Sequence, residues 1–168
     1  MFEEYAITTK RIQSIIEDKG YKKYIKKNAE AEKHRDFCRH DMTHLLDVAR
    51  IGIILNEKSG KYVDEELIYA VSLLHDIGRF RQYEKGIPHE LASADLAPDI
   101  LVRAGFGEEE VSAIVDAIAS HRNKEVSDEM SLRGILYRAD KLSRPCFACT
   151  KQKDCNWKAD KKNLTLKI

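Results

Sequence analysis

Apolar residues recur at intervals of three and four positions over most of the chain, and this spacing predicts helices. The clearest case runs from about residue 36 to residue 58 and carries one apolar stripe, formed by Leu45, Val48, Ile51 and Leu55. An earlier stripe of Ile12, Ile15 and Ile16 predicts a helix that Thr8 or Thr9 caps and Gly20 ends. No alternation of apolar and polar residues is long enough to predict a strand, so the pattern indicates an all-α fold.

The rest of the pattern predicts further helices over residues 21–33, 64–75, 88–105, 108–121 and 130–142. Acidic residues at 64–66 suit the positive end of a helix dipole. Pro98 is expected to kink or interrupt the helix that contains it. The charged and aromatic stretch 79–87 is predicted to be a loop.

Length and composition indicate one structural domain. With 168 residues a second core is not expected, and we divide the chain into N-terminal helices (1–35), a core (36–144) and a cysteine-rich tail (145–168) packed on that core. Lys+Arg (29) and Asp+Glu (28) nearly balance, so net charge says little about partners, and no nucleic-acid partner is expected. The basic run between Lys19 and Arg39 is either a solvated helix face or a rim that attracts phosphate.

The chain lacks an apolar stretch near the roughly 18 residues that a membrane span needs. Its N-terminus is acidic and has no signal-peptide pattern. We therefore expect a cytoplasmic protein without a membrane partner.

Six metal-competent side chains form an ordered set along the predicted helices: His44, His75, Asp76, His89, His121 and Asp140. Imidazole and carboxylate are common ligands of divalent transition metals. Taken singly, His44 could be a core histidine, and His89 and His121 could be surface histidines. The joint pattern carries the inference, because most members fall at helix ends or on apolar faces, where helical bundles place internal metal sites.

The local sequences around four of these residues resemble the HD-domain metal-dependent phosphohydrolases. The matching segments are His44-Leu45-Leu46-Asp47, Leu73-Leu74-His75-Asp76-Ile77-Gly78-Arg79 and Ala139-Asp140-Lys141. The resemblance implies an all-helical domain in which His44, His75, Asp76 and Asp140 bind one metal. It also implies a dinuclear, six-ligand centre, in which His89 and His121 hold a second metal and Asp76 bridges the two.

The metal that such a centre takes is not fixed by its ligands, since Fe, Mn, Zn, Co and Ni all accept histidine and carboxylate. The chain is similar to the HD hydrolases of dinucleoside tetraphosphates and to the cyclic-nucleotide phosphodiesterases. It lacks the Gly-Tyr-Pro motif of the larger bacterial signalling phosphodiesterases.

The resemblance also assigns roles in the chemistry. Water between two cations is the expected nucleophile because the cations lower its pKa, and Asp76 would hold the bridge. His40 lies four residues before His44 and occupies the place of the general acid in cyclic-nucleotide phosphodiesterases; the alternative is a solvated histidine or one that belongs to a cysteine site. Arg79 and Lys141 are candidate substrate-binding residues, and the alternative for both is pairing with surface acids.

The four cysteines form a separate candidate site. Cys146, Cys149 and Cys155 follow the core, and Cys38 lies six residues before His44. If His44 and Asp140 meet, these sulfurs could converge on a structural zinc ion or an iron–sulfur cluster. Four ordinary reduced thiols are the alternative.

These features predict a metal-dependent hydrolase that cleaves a phosphoester or phosphoanhydride bond in a small phosphorylated substrate, with a nucleotide as the favoured class. Two alternatives stay open: a non-catalytic nucleotide-binding regulatory HD domain, and a di-iron oxygenase of the HD type. A homodimer is also left open.

Overall fold

The computed structural model describes residues 9–167, and this part of the chain is helical without strands. The α-helices, numbered α1 to α8 in chain order, are Lys10–Glu17, Lys19–Ala31, Met42–Ser59, Glu65–Leu74, Arg79–Lys85, His89–Arg103, Glu108–Ser120 and Leu132–Leu142. Short 3₁₀ turns follow at Lys124–Val126, Cys146–Ala148 and Ala159–Lys161. The predicted all-α class is confirmed.

Side-chain caps fix where several helices begin. The hydroxyl of Thr9 accepts a hydrogen bond from the Ile12 amide at 3.2 Å, which starts α1. The predicted end of this helix at Gly20 is wrong, because Asp18 caps the next helix by accepting from the Tyr21 amide at 3.0 Å. Gly20 therefore lies in the first turn of α2.

Two further boundaries differ from the sequence prediction. The long helix α3 begins at Met42 and not near residue 36, since Asp41 accepts a hydrogen bond from the His44 amide and caps it. The stretch 79–87, predicted to be a loop, contains helix α5, which ends at Gly86 with a φ of 68°. The left-handed conformation of Gly86, which suits glycine, ends this helix.

Pro98 lies inside α6 without interrupting it. A proline removes one backbone donor, but Leu96, Ala97 and Ile100 on the same helix are buried in the core. Their packing outweighs the single lost hydrogen bond.

Helix α4 lies at the centre of the domain and packs against α1, α3, α7 and α8. Its residues Leu73 and Leu74, and Ile77 just beyond it, are fully buried. Gly52 lets α3 approach this helix, because a Cβ at that position would lie 2.7 Å from a methyl carbon of Ile68. The central position of α4 carries its carboxyl end into the interior.

The tail, residues 145–167 of the described part, contains no α-helix but is tied to the end of α8. The Asn163 side-chain amide donates to the carbonyl oxygens of Lys141 at 2.8 Å and Arg144 at 2.9 Å. Among residues 9–167, no helix has the length and apolar character that crossing a membrane requires.

Candidate metal centre

The centre is built on the turn that links α4 to α5, residues 75–78. Helix α4 ends at Leu74, and the turn then places His75 and Asp76 in the interior, both almost fully buried. Gly78 in this turn lies against α6: its amide donates to the Ser93 hydroxyl at 2.9 Å, and a Cβ there would lie 2.5 Å from the backbone of Ala92. Glycine is required here because the two backbones are in contact.

Asn28 of α2 holds the same turn from the other side. Its side-chain amide donates to the Asp76 carbonyl oxygen at 2.9 Å and accepts from the Phe80 amide at 2.8 Å. Sequence reasoning missed this residue. The available signal was that Asn28 continues the spacing of Tyr21 and Ile25 on the inward face of α2, where a polar residue needs a partner.

Four of the predicted ligands form a first cluster: His44, His75, Asp76 and Asp140 offer atoms that all lie within 4.8 Å of one another. The His44 Nε2 atom is 3.4 Å from Asp140 Oδ1 and 3.6 Å from Asp76 Oδ2. The His75 Nε2 atom is 3.2 Å from Asp76 Oδ2. Residues that are distant in sequence thus converge on one point.

A second cluster contains Asp76, His89 and His121. The two imidazole Nε2 atoms are 3.2 Å apart, and Asp76 Oδ1 lies 3.4 Å from that of His89 and 3.9 Å from that of His121. Asp76 therefore belongs to both clusters, with Oδ2 towards the first and Oδ1 towards the second.

All four imidazole rings are oriented by a hydrogen bond at Nδ1. The rings of His75 and His121 donate to the carbonyl oxygens of Ser72 and Ile118, each at 2.7 Å. His89 donates to the Gln82 side-chain oxygen at 2.6 Å. A proton on Nδ1 leaves the Nε2 lone pair free, which is the arrangement that outer partners impose on metal-ligating histidines.

The fourth ring, His44, is oriented by Ser143, whose hydroxyl lies 3.3 Å from Nδ1. That hydroxyl donates to the Asp140 carbonyl oxygen at 2.7 Å, so its oxygen is the acceptor for His44. Gln82 and Ser143 were not identified from the sequence, because nothing in their local pattern distinguishes them from surface polar residues.

The donor set fits divalent metal ions. Among residues 9–167, the buried polar atoms without a hydrogen-bond partner include His44 Nε2, His75 Nε2 and Asp76 Oδ1. Buried polar atoms normally find a partner, and these three face the centres of the clusters. Nitrogen and carboxylate donors at this spacing are compatible with divalent metal binding.

The pKa values of the cluster histidines also fit metal binding. Burial lowers the pKa of His89 to about 2 and, together with His75, lowers the pKa of His121 to about 4, so both rings are neutral as ligands must be. Burial also lowers the pKa of His75, but the Asp76 and Asp140 carboxylates outweigh it and raise this pKa to about 10. A proton on His75 and a divalent cation are thus alternative positive partners for the Asp76 and Asp140 carboxylates.

Three basic side chains border the clusters. Arg79, 12% exposed, places Nη1 3.6 Å from Asp76 Oδ1 and 3.2 Å from His89 Nε2. Lys141, 35% exposed, places Nζ 2.7 Å from Asp140 Oδ2. Arg144, which the sequence did not favour as a site residue, is 8% exposed and contacts Asp140 Oδ1 at 3.2 Å. In these contacts, each of the three lies against a buried carboxylate of the clusters and not against an exposed surface acid.

His40 also reaches the site, where its Nε2 atom lies 3.9 Å from Asp76 Oδ2. Its Nδ1 atom is 2.6 Å from Glu32 Oε1, which also accepts from the Tyr83 hydroxyl. The His40 amide donates to the other carboxylate oxygen, Glu32 Oε2. Burial lowers the pKa of His40, against the opposing effects of Asp76 and Glu32. Glu32 was missed because glutamate is rarely buried, yet it lies four residues after Asn28, at the C-cap of α2.

The cysteines do not share this arrangement. All four are free, and within residues 9–167 no cysteine belongs to a group of three ligand atoms at metal-binding spacing. The four-cysteine metal centre is therefore not assembled in this structure and stays a prediction from the sequence.

Known proteins give independent information on this chain. The family model of the HD domain matches residues 41–144. A protein of Clostridium beijerinckii is 41% identical over 156 residues, which cover 93% of this chain and 98% of that relative. Ribonuclease Y of Oleidesulfovibrio alaskensis is 31% identical over 107 residues, but these cover 64% of this chain and only 18% of that enzyme.

A solved structure has the same fold. The crystal structure of a predicted HD superfamily hydrolase from an uncultured Thermotogales bacterium superposes with a TM-score of 0.60 and 26% identity, covering 85% of this chain and 81% of the other. The family model spans more than half of the chain and includes His44, the His75-Asp76 pair and Asp140. The resemblance that those residues indicated is confirmed, and the chain belongs to the HD domain family.

Proposed function

We propose that this chain is a metal-dependent phosphohydrolase that holds two divalent cations and cleaves a phosphoester or phosphoanhydride bond in a small phosphorylated molecule of the nucleotide class. The observation that carries the proposal is the pair of ligand clusters joined at Asp76. A domain that only binds a nucleotide has no need of a second buried cluster beside the first.

Each of the two clusters would hold one cation. His44, His75, Asp76 and Asp140 would hold one cation, and Asp76, His89 and His121 the other. Such cations supply charge neutralisation at phosphate oxygens and lower the pKa of water. Asp76 fixes the separation of the two ligand sets, because its two oxygens face different clusters.

His40 is placed to deliver a proton to the leaving oxygen. Glu32 holds the ring at Nδ1 and favours the imidazolium form, which carries the Nε2 proton that would be transferred to the leaving oxygen. The Nε2 atom faces Asp76. Fixing one ring nitrogen with a carboxylate sets the orientation of the other, as in other acid–base histidines.

Arg79 and Lys141 are proposed to contact phosphate oxygens. Both charges already lie beside the cluster carboxylates. A guanidinium can donate two parallel hydrogen bonds to a phosphate, which gives Arg79 a role that lysine at the same position would fill less well.

The likeness to Ribonuclease Y adds a second substrate class, a short RNA, to the nucleotide class favoured here. Both substrates would be cleaved at a phosphorus–oxygen bond, so they share the proposed chemistry. The sequence-based expectation that no nucleic acid binds is tested by including both.

The test is metal analysis of protein purified without oxygen, followed by a substrate panel of nucleotides, dinucleoside polyphosphates, cyclic nucleotides and a short oligoribonucleotide. Hydrolysis without oxygen uptake, absent in Asp76→Asn, is the expected result. Oxygen uptake would support the di-iron oxygenase, and nucleotide binding without turnover would support the regulatory domain. Either outcome would overturn the proposal.

A further inference from the structure

Arg144 lies two residues beyond α8 and borders the first cluster without being one of its ligands. Its guanidinium is buried, with Nη2 3.2 Å from Asp140 Oδ1 and 3.4 Å from His40 Nε2. It therefore lies between a candidate metal ligand and the candidate proton donor.

The hydrogen-bonding capacity of this guanidinium is not used up by the protein. Its Nε atom is buried and has no hydrogen-bond partner among residues 9–167. An arginine carries five N–H donors, and a buried donor without a partner is costly. The free Nε donor, on a guanidinium that lies between Asp140 and His40, leaves Arg144 able to donate to an anion from outside the protein.

Neutralising Asp140 does not explain Arg144. The other oxygen of Asp140 is already 2.7 Å from the Lys141 ammonium group. Around the clusters, the carboxylates of Glu32, Asp76 and Asp140 are matched by the cations of Arg79, Lys141 and Arg144. Any divalent cation added to this balanced set leaves positive charge, which a phosphate group would neutralise.

The tail holds Arg144 in this place. The guanidinium carbon lies 5.3 Å from the centre of the Trp157 ring, a cation–π contact. Asn163 donates to the Arg144 carbonyl oxygen, and the Lys162 ammonium donates to the carbonyl oxygens of Gln152 and Cys155. These contacts close residues 145–163 into a loop that packs on the arginine.

We propose that Arg144 binds a phosphate group of the substrate and that the tail, through Trp157, is the element that positions its guanidinium. The inference rests on the proposed function for its substrate. It gives the tail a role at the site that does not depend on its cysteines.

The experiment uses inorganic phosphate as the probe and the protein with the metals it carries on purification. Trp157 is the only tryptophan of the chain, so its fluorescence reports directly on the surroundings of Arg144. Phosphate should change the emission of the wild type saturably. Calorimetry should show that Arg144→Gln weakens phosphate binding roughly 10-fold or more, since a charge-assisted hydrogen bond is lost.

Two comparisons separate positioning from simple folding effects. Trp157→Phe keeps an aromatic ring and should retain most of the phosphate affinity, whereas Trp157→Ala should lose much of it. Arg133→Gln removes the charge of an arginine inside α8 whose side chain is 36% exposed; this control should bind phosphate as the wild type does.

Metal content measured on every variant completes the test. If Arg144 only supports Asp140, phosphate affinity will fall in proportion to lost metal, and the inference is overturned. Unchanged phosphate affinity in Arg144→Gln, or no phosphate binding by the wild type, overturns it too. Phosphate binding that depends on Arg144 in a protein that hydrolyses no member of the substrate panel would uphold the inference while the proposed function fails.

Discussion

Two regions of this molecule carry side chains that can bind metals, and they differ in how those side chains are held. In the helical core, His44, the His75-Asp76 turn and Asp140 converge within 4.8 Å from three separate helices or helix ends. Three cysteines lie close together in the tail, and Cys38 lies six residues before His44, yet within residues 9–167 no cysteine belongs to a group of three ligand atoms at that spacing.

The difference lies in the partners behind each ligand. Every cluster imidazole has its Nδ1 atom fixed by a carbonyl or side-chain oxygen, so the Nε2 atoms face inward before any ion arrives. Cys146 lies in a 3₁₀ turn and is buried, whereas Cys149 and Cys155 lie outside helices and are partly exposed. Ligand convergence therefore follows from packed helices and outer hydrogen bonds more than from the number of ligands in a segment.

The largest effect is expected from Asp76→Asn, because this residue alone belongs to both clusters among those that the structure describes. The amide keeps the size of the carboxylate but loses its charge. We expect metal content to fall at both clusters and hydrolysis to drop on the order of 10³-fold or more, well beyond the 10–100-fold typical of an outer partner. Metal counting and turnover on the same preparation measure it.

The control for this change is Asp116→Asn, an exposed aspartate on α7 that pairs with Arg133 at the surface. It should retain wild-type metal content and turnover. Full activity in Asp76→Asn would mean that the shared carboxylate is not the centre of the site.

His40→Ala is expected to slow hydrolysis by roughly 10²–10⁴, the usual range for losing a general acid. Metal content should stay unchanged, since His40 is outside both ligand clusters. Glu32→Gln should cause a smaller loss, because it weakens the 2.6 Å contact that orients the ring. The loss of turnover should be largest on a substrate with a poor leaving group, because such a group depends most on being protonated. Wild-type turnover of that substrate by His40→Ala would rule out the proton-donor role.

Gln82→Leu tests whether outer hydrogen bonds assemble the second cluster. The side-chain oxygen of Gln82 orients His89, whereas the rings of His75 and His121 are held by backbone carbonyls that no substitution removes. We expect metal affinity at the second cluster to fall by roughly 10–100-fold, with the first cluster unaffected.

Titration of a chelator against metal-loaded protein resolves the two affinities. Gln13→Leu, an exposed position on α1, is the matched control. Equal weakening of both clusters would show that Gln82 acts on the fold as a whole and not on His89.

The same contrast explains what the sequence could predict. The six ligands were identifiable because metal-competent residues on apolar helix faces or helix ends are costly unless they are partnered. The all-α class followed from the apolar spacing. Helix boundaries at Asp18 and Asp41 were missed because each depends on a capping hydrogen bond, and such caps compete with several other polar residues nearby.

The residues behind the ligands were missed for a different reason. Asn28, Glu32 and Gln82 each act through a contact with a residue on another helix or turn, and their own segments look solvated and charged. Arg144 contacts Trp157, whose position the pattern of the tail does not specify. The roles of all four residues therefore depend on contacts between different elements of the fold, which the local sequence pattern does not specify.

The smallest effect is expected from Cys149→Ser. Its sulfur belongs to no group of ligand atoms in residues 9–167, and the two histidine–carboxylate clusters contain no cysteine. We therefore expect the same number of metal ions per chain and turnover within about 2-fold of the wild type, as for most substitutions away from packed or paired groups. Metal counting combined with limited proteolysis of residues 145–167 checks this. Loss of one metal ion per chain together with a protease-sensitive tail would contradict the arrangement seen here, and would show that the four cysteines close around a metal after all.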